Sequence, residues 1–251
     1  MAPKFVGIAF DLDGTLYPNY QLNIRILPFI IKEYRLLIAL GKARDILRAD
    51  FTEDFPAERF YDVQARLMAD YLRADPAEIK DKTERLIYRG WEPLFKKIPL
   101  YPHVLPVLRE FRERGLKLGL LSDFPPDTKI DHLGLSGLWD VQICSEVVGA
   151  LKPDPVPFRI LAEKMGLPPE QILYVGNSVR YDVIGAKAAG MKAALIAPSF
   201  IRFFWNLMNS RQRRTGAGGE LSDSPFEGNK PLNKADFVFS GYRQLSAYVL
   251  D

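Results

Sequence analysis

The sequence is short of the side chains that hold soft metals or cross-link a chain: its 251 residues include one cysteine, Cys144, and two histidines, His103 and His132. A lone thiol forms no internal disulfide, and two histidines without a third ligand build no zinc site. Cys144 closes the run Val141-Gln142-Ile143-Cys144, which reads as a buried strand carrying an inert core thiol. An excess of one charge is missing too. The 34 basic and 31 acidic residues leave a net charge of +3, compatible with an anionic ligand and far from the dense basic surface of a nucleic-acid binder, so no nucleic-acid partner is expected. No long uncharged apolar run occurs either. The most hydrophobic stretch, residues 24–40, contains Arg25, Lys32, Glu33 and Arg35, too many charges for a bilayer-spanning helix. Met1-Ala2-Pro3-Lys4 leads into an apolar strand without the pattern of a secretory leader, so the expected location is cytoplasmic.

What is present suits a globular chain with a sizeable core: 47% hydrophobic and 26% charged residues. The run Phe5-Val6-Gly7-Ile8-Ala9 has the length and content of a buried strand, and Phe10-Asp11-Leu12-Asp13-Gly14-Thr15-Leu16 follows it. Side chains two apart on an extended chain share a side, so Asp11 and Asp13 converge at a strand exit. Crowded carboxylates call for compensation, and a hard divalent cation supplies it. One acid is then a nucleophile and the other a proton donor and acceptor.

Residues 18–98 change to helical periodicity: Leu36, Leu40, Ala43 and Leu47, then a helix through Phe60 to Leu72, then one opening at Pro76. Pro99 and Pro102 end this all-helical insert. From His103 onward, short helices and strands alternate, with strands over 116–121, 141–144, 172–175 and 193–196. That alternation is the mark of parallel strands joined by crossover helices, an α/β Rossmann-like sheet made of residues 1–17 and 99–251. Its strand ends gather on one edge, where ligands bind. Ser122-Asp123, Lys152-Pro153 and Gly176-Asn177-Ser178, with Asp182 beyond, fall at or after those ends.

Taken together, Phe10 to Leu16, Leu121-Ser122-Asp123, Lys152-Pro153 and Gly176 to Asp182 resemble, in order and spacing, the four signatures of the haloacid dehalogenase-like (HAD) superfamily. The helical insert between the first and second signatures is similar to the cap of the subfamily that includes phosphoglycolate phosphatases. The resemblance implies a phosphomonoester hydrolase for a small phosphorylated metabolite. Asp11 would attack phosphorus to form an aspartyl-phosphate, and Asp13 would serve the leaving group and then water. Ser122, Asp123 and Lys152 would hold the phosphate, and Mg²⁺ would bind at Asp11, Asp13, Asn177 and Asp182.

Two residues depart from that pattern. Asn177 stands where the family more often has a metal-binding Asp, and Asp123 replaces the usual Asn, which places an extra carboxylate near an anionic substrate. Retention of Asp13 favours a phosphoester over a haloalkanoate, whose halide needs no acid. A phosphomutase, or a non-catalytic binding protein of the same fold, is the alternative. Residues 199–234, basic and aromatic then Gly-rich, form an atypical insertion and a candidate for pairing protomers in a homodimer. Lys32, Arg35, Lys42 and Arg44 read as a solvated helix face.

Overall fold

The computed structural model describes residues 4–49, 57–197 and 234–251. Its strands are β1 (Gly7–Phe10), β2 (Lys117–Ser122), β3 (Val141–Cys144), β4 (Ile172–Gly176), β5 (Lys192–Ile196) and β6 (Phe237–Phe239). They form one parallel sheet in the order β3-β2-β1-β4-β5-β6. The described helices, in chain order, are α1 (Asn19–Ala49), α2 (Phe60–Leu72), α3 (Pro76–Thr83), α4 (Val104–Glu113), α5 (Asp127–His132), α6 (Ser145–Val148), α7 (Pro155–Met165), α8 (Ile184–Ala188) and α9 (Tyr242–Leu250).

The central strands are continuous apolar runs because both sheet faces are covered. On one face Ile8, Phe10, Leu118 and Leu120 pack with Leu108 and Phe111 of α4 and Leu245 of α9. On the other, Ala9, Leu121 and Tyr174 pack with Phe158 and Leu161 of α7 and Ala186 of α8. β3 lies at the sheet edge, and this changes the reading of Cys144. The thiol is half-buried rather than a core group. Burial pushes its pKa up to about 12, so it stays a protonated thiol at neutral pH.

The helices inserted between β1 and β2 have their own core, in which Leu36 and Leu40 of α1 meet Met68 of α2 and Ile79 of α3. α1 contains Pro28, which lacks an amide donor, and bends at Glu33, whose φ of −119° and ψ of 28° leave the helical region. Across that bend Glu33 pairs with Lys82 at 2.6 Å. A π-helical turn, Glu84–Tyr88, follows α3, and a 3₁₀ segment, Glu92–Lys97, returns the chain to the sheet. The basic and aromatic insertion expected over 199–234 lies outside the described residues apart from Lys234.

Candidate active site

The chain runs outward from β1 through β2 to β3, then restarts at β4 and runs the other way, so the β1/β4 junction is the topological switch point. The register aligns Phe10 with Leu120 on one side and Val175 on the other. Asp11, Ser122 and Asn177 are therefore brought to one sheet edge. The Asp11 N–H donates to the Val175 carbonyl at 2.9 Å, which fixes the exit of β1. Gly14 turns the loop at φ +87°, and a Cβ there would lie 2.1 Å from Asn177 Nδ2. Only glycine meets both demands. Gly176 is similarly confined, since a Cβ would fall 2.3 Å from the Asp182 side chain.

Lys152 joins the acids. Its Nζ donates to Asp11 Oδ1 and Asp182 Oδ1, both at 2.7 Å, and to Tyr174 OH at 3.4 Å. The second oxygen of Asp11 accepts from Thr15 Oγ1 at 2.7 Å. Asp182 Oδ2 accepts from the Asn177 and Ser178 amides at 3.1 and 2.9 Å. Asp11, Ser122, Lys152 and Asp182 are all buried. Burial raises the Asp11 carboxyl to about 7 against the pull of Lys152. Burial by itself would lower the Lys152 ammonium, but Asp11 and Asp182 hold it well above its ordinary value. Lys152 is thus a fixed positive charge at neutral pH.

Asp13 is set apart from this group and faces a cavity of about 360 Å³ between the inserted helices and the sheet edge. Its carboxylate accepts from Tyr17 OH and from Lys129 Nζ, the latter at 3.1 and 2.8 Å. Leu22, Trp91, Phe95 and Phe124 contribute apolar wall. Ser122 Oγ accepts from the Phe124 amide at 3.2 Å, which uses a lone pair and leaves the hydroxyl proton for another acceptor.

Asp123 does not present a free carboxylate. Oδ1 accepts from the Lys152 amide at 3.1 Å, and Oδ2 lies 3.1 Å from Arg48 Nη2 and 3.5 Å from Arg44 Nη2. The repulsion expected from an acid at this position is therefore countered by two guanidiniums from α1. Arg44 itself corrects the sequence reading: it is buried, not solvated, and pairs with the fully buried Glu146, which also accepts from Tyr88 OH at 2.9 Å. Lys32, Arg35 and Lys42 are exposed as expected.

Sequence reasoning missed Thr15, Tyr17, Lys129, Tyr174, Arg44, Arg48 and Glu146. Thr15 and Tyr17 were within reach, four residues beyond Asp11 and Asp13. Lys129 and Glu146 had no local signal, since their partners are 116 and 102 residues away. Among the described residues no cluster of three or more His, Cys, Asp or Glu side chains could hold a metal.

The family model of the haloacid dehalogenase-like hydrolases matches residues 5–190. The chain belongs to this family. Its relatives include the phosphoglycolate phosphatase of Escherichia coli, 31% identical over 73% of this chain and 78% of that protein. The glyceraldehyde 3-phosphate phosphatase of Methanopyrus kandleri is 28% identical over 74% and 81%. Among solved structures, a HAD phosphatase from Thermococcus onnurineus is 25% identical with a TM-score of 0.57, covering 96% of both chains. An L-2-haloacid dehalogenase from Xanthobacter autotrophicus shares the fold, with a TM-score of 0.61 at 18% identity. This HAD chain is an enzyme, a phosphatase, which sets aside the non-catalytic reading. Among the described residues no helix is long and apolar enough to cross a membrane.

Proposed function

We propose that this HAD phosphatase hydrolyses a small phosphorylated metabolite in the cytoplasm through a covalent intermediate on Asp11, with Mg²⁺ as its cofactor. The observation that carries the reading is the division of the two acids. Asp11 is locked between Lys152 and Thr15, while Asp13 lines the cavity. An Asp11 oxygen attacks phosphorus as the bond to the leaving alcohol breaks, and Asp13 gives that oxygen its proton. Asp13 then takes a proton from water, whose oxygen attacks the aspartyl-phosphate, freeing inorganic phosphate and the Asp11 carboxylate. Lys152 and the Ser122 hydroxyl bind the phosphoryl oxygens throughout, with Asp123 holding the Lys152 amide in place.

The donors at this edge are hard oxygens and fit Mg²⁺. The Asp11 carboxylate, the Asp13 main-chain carbonyl and the Asn177 side-chain oxygen would hold it. Asp182, whose oxygens accept hydrogen bonds from Lys152 and from the Asn177 and Ser178 amides, would complete the ligand set while orienting Lys152 and the Asn177 loop. When bound, the cation supplies neutralisation of phosphoryl charge and favours ionised Asp11. Phosphate release from a panel including phosphoglycolate, glyceraldehyde 3-phosphate and an aryl phosphate tests the reading. It should require Mg²⁺, cease with chelator, and fall by about a thousandfold or more in Asp11→Asn. Undiminished release by that variant would sink the mechanism.

A further inference from the structure

α1 has two apolar faces. The inward one, through Leu22, Ile26, Phe29, Leu36 and Leu40, packs into the fold. The outward one is Tyr20, Ile24, Leu27, Ile31, Tyr34 and Ile38, exposed by 57, 63, 52, 72, 55 and 44%. A surface helix ordinarily buries one stripe and presents polar residues on the other; a helix apolar all round is a buried helix. The outward residues also repeat with a period of seven: Tyr20, Leu27 and Tyr34 in one series, Ile24, Ile31 and Ile38 in the other. The bend at Glu33 does not turn the seam inward, since Tyr34 and Ile38 beyond it remain exposed.

We propose that this seam is a homodimer interface in which α1 of one copy packs on α1 of a second. Three observations select a second copy of the chain as the occupant. A seven-residue repeat with a β-branched residue at one core position and Leu or Tyr at the other is the pattern by which two like helices interlock. The seam is apolar along its length on both series, so the same patch can face itself, as a two-fold contact between copies requires. The positions flanking it, Gln21, Asn23, Pro28, Ile30, Arg35 and Leu37, include a single charge, so like-charge repulsion along the contact is small. The exposed parts of the six side chains amount to roughly 600 Å² per copy, or about 1,200 Å² for the pair, at the lower limit of specific interfaces. An apolar patch of that size is at the upper end for a monomer.

The test is the solution mass of the full chain by light scattering and sedimentation velocity at tens of micromolar. The expected result is twice the chain mass of 28.5 kDa. Ile24→Lys combined with Ile31→Lys should sediment as a monomer, with the far-ultraviolet circular dichroism and phosphate release per chain of the parent. The milder Ile31→Gln should weaken association at least tenfold and guards against a double variant that fails to fold. In a Cys144→Ser background, Ile31→Cys should give a cross-linked dimer on oxidation. A monomeric parent chain would overturn the proposal, whether residues 198–233 cover the face or the monomer co-sediments with anionic lipid vesicles. So would a dimer insensitive to Ile31→Gln.

Discussion

Three residues decide how this site differs from a plainer version of itself, and each can be tested singly. Asn177 offers an uncharged oxygen where a carboxylate would add charge, and cation affinity rises with ligand charge. Asn177→Asp should therefore lower the Mg²⁺ concentration needed for half-maximal phosphate release, read from an activation curve. Lys129 holds Asp13 through two contacts and sits 5.2 Å from the ring centroids of both Phe95 and Phe124. Lys129→Ala leaves the Asp13 carboxylate held by Tyr17 alone and loosens its aim at the leaving oxygen. The turnover rate should fall roughly ten- to a hundredfold, consistent with partial loss of acid–base catalysis, and Lys129→Arg should restore part of it. Asp123 shows a sign that pH can read. Burial would raise its carboxyl, but Lys152, Arg44 and Arg48 more than offset this and hold it below the ordinary 3.8. The unfolded chain then binds more protons than the folded one in the window below 3.8, so the contribution of Asp123 is complete above that pH and is lost as pH falls through the folded value. The gap in melting temperature between the parent and Asp123→Asn should hold steady from neutral pH to about 3.8 and narrow below it in calorimetric scans.

At the scale of elements, α1 is where sequence and structure part most instructively. The sheet was legible because a buried parallel strand must be a continuous apolar run, and the site was legible because Asp11, Ser122, Lys152 and Asp182 follow such runs at short range. Arg44 was not. Grouped by charge with Lys32, Arg35 and Lys42 it reads as one more surface cation, although helical spacing sets it beside the buried Leu40 and Leu47, and only the fold brings Glu146, 102 residues away, beneath it. The same long-range pairing defines a join between the inserted helices and the sheet domain, in which Arg44 and Arg48 of α1 meet Asp123 and Glu146. The Arg44 guanidinium also lies 4.1 Å from the Phe124 ring centroid. Arg44→Ala would leave the buried Glu146 carboxylate without its cation and Asp123 with Arg48 alone. The expected cost is about 3–5 kcal/mol in urea unfolding, far above that of losing an exposed pair such as Lys80–Asp62. Pairing Arg44→Met with Glu146→Gln removes charge from both sides, and the double variant should recover much of that loss.

At the scale of the whole molecule, the join brings the inserted helices over the strand ends and encloses the cavity that Asp13 faces. The chemistry sits on the sheet edge, whereas Leu22, Tyr61, Tyr88 and Trp91 of the cavity wall come from the insert. Under the proposed mechanism, the reaction and the choice of leaving group would belong to different parts of the chain. A volume near 360 Å³ exceeds the needs of a leaving group of a few atoms and falls within the range of pockets that enclose a whole small ligand. Filling it should thus penalise large leaving groups alone. Leu22→Trp places a larger ring on the insert side without touching Asp11, Asp13 or Lys152. For an aryl phosphate the KM should rise about tenfold, the scale expected when an apolar group loses its pocket, with kcat little changed. For a phosphomonoester of the panel whose leaving group has only a few atoms, both constants should stay near those of the parent. Equal losses for the two substrates would mean that the cavity does not receive the leaving group and that selection occurs elsewhere along the insert.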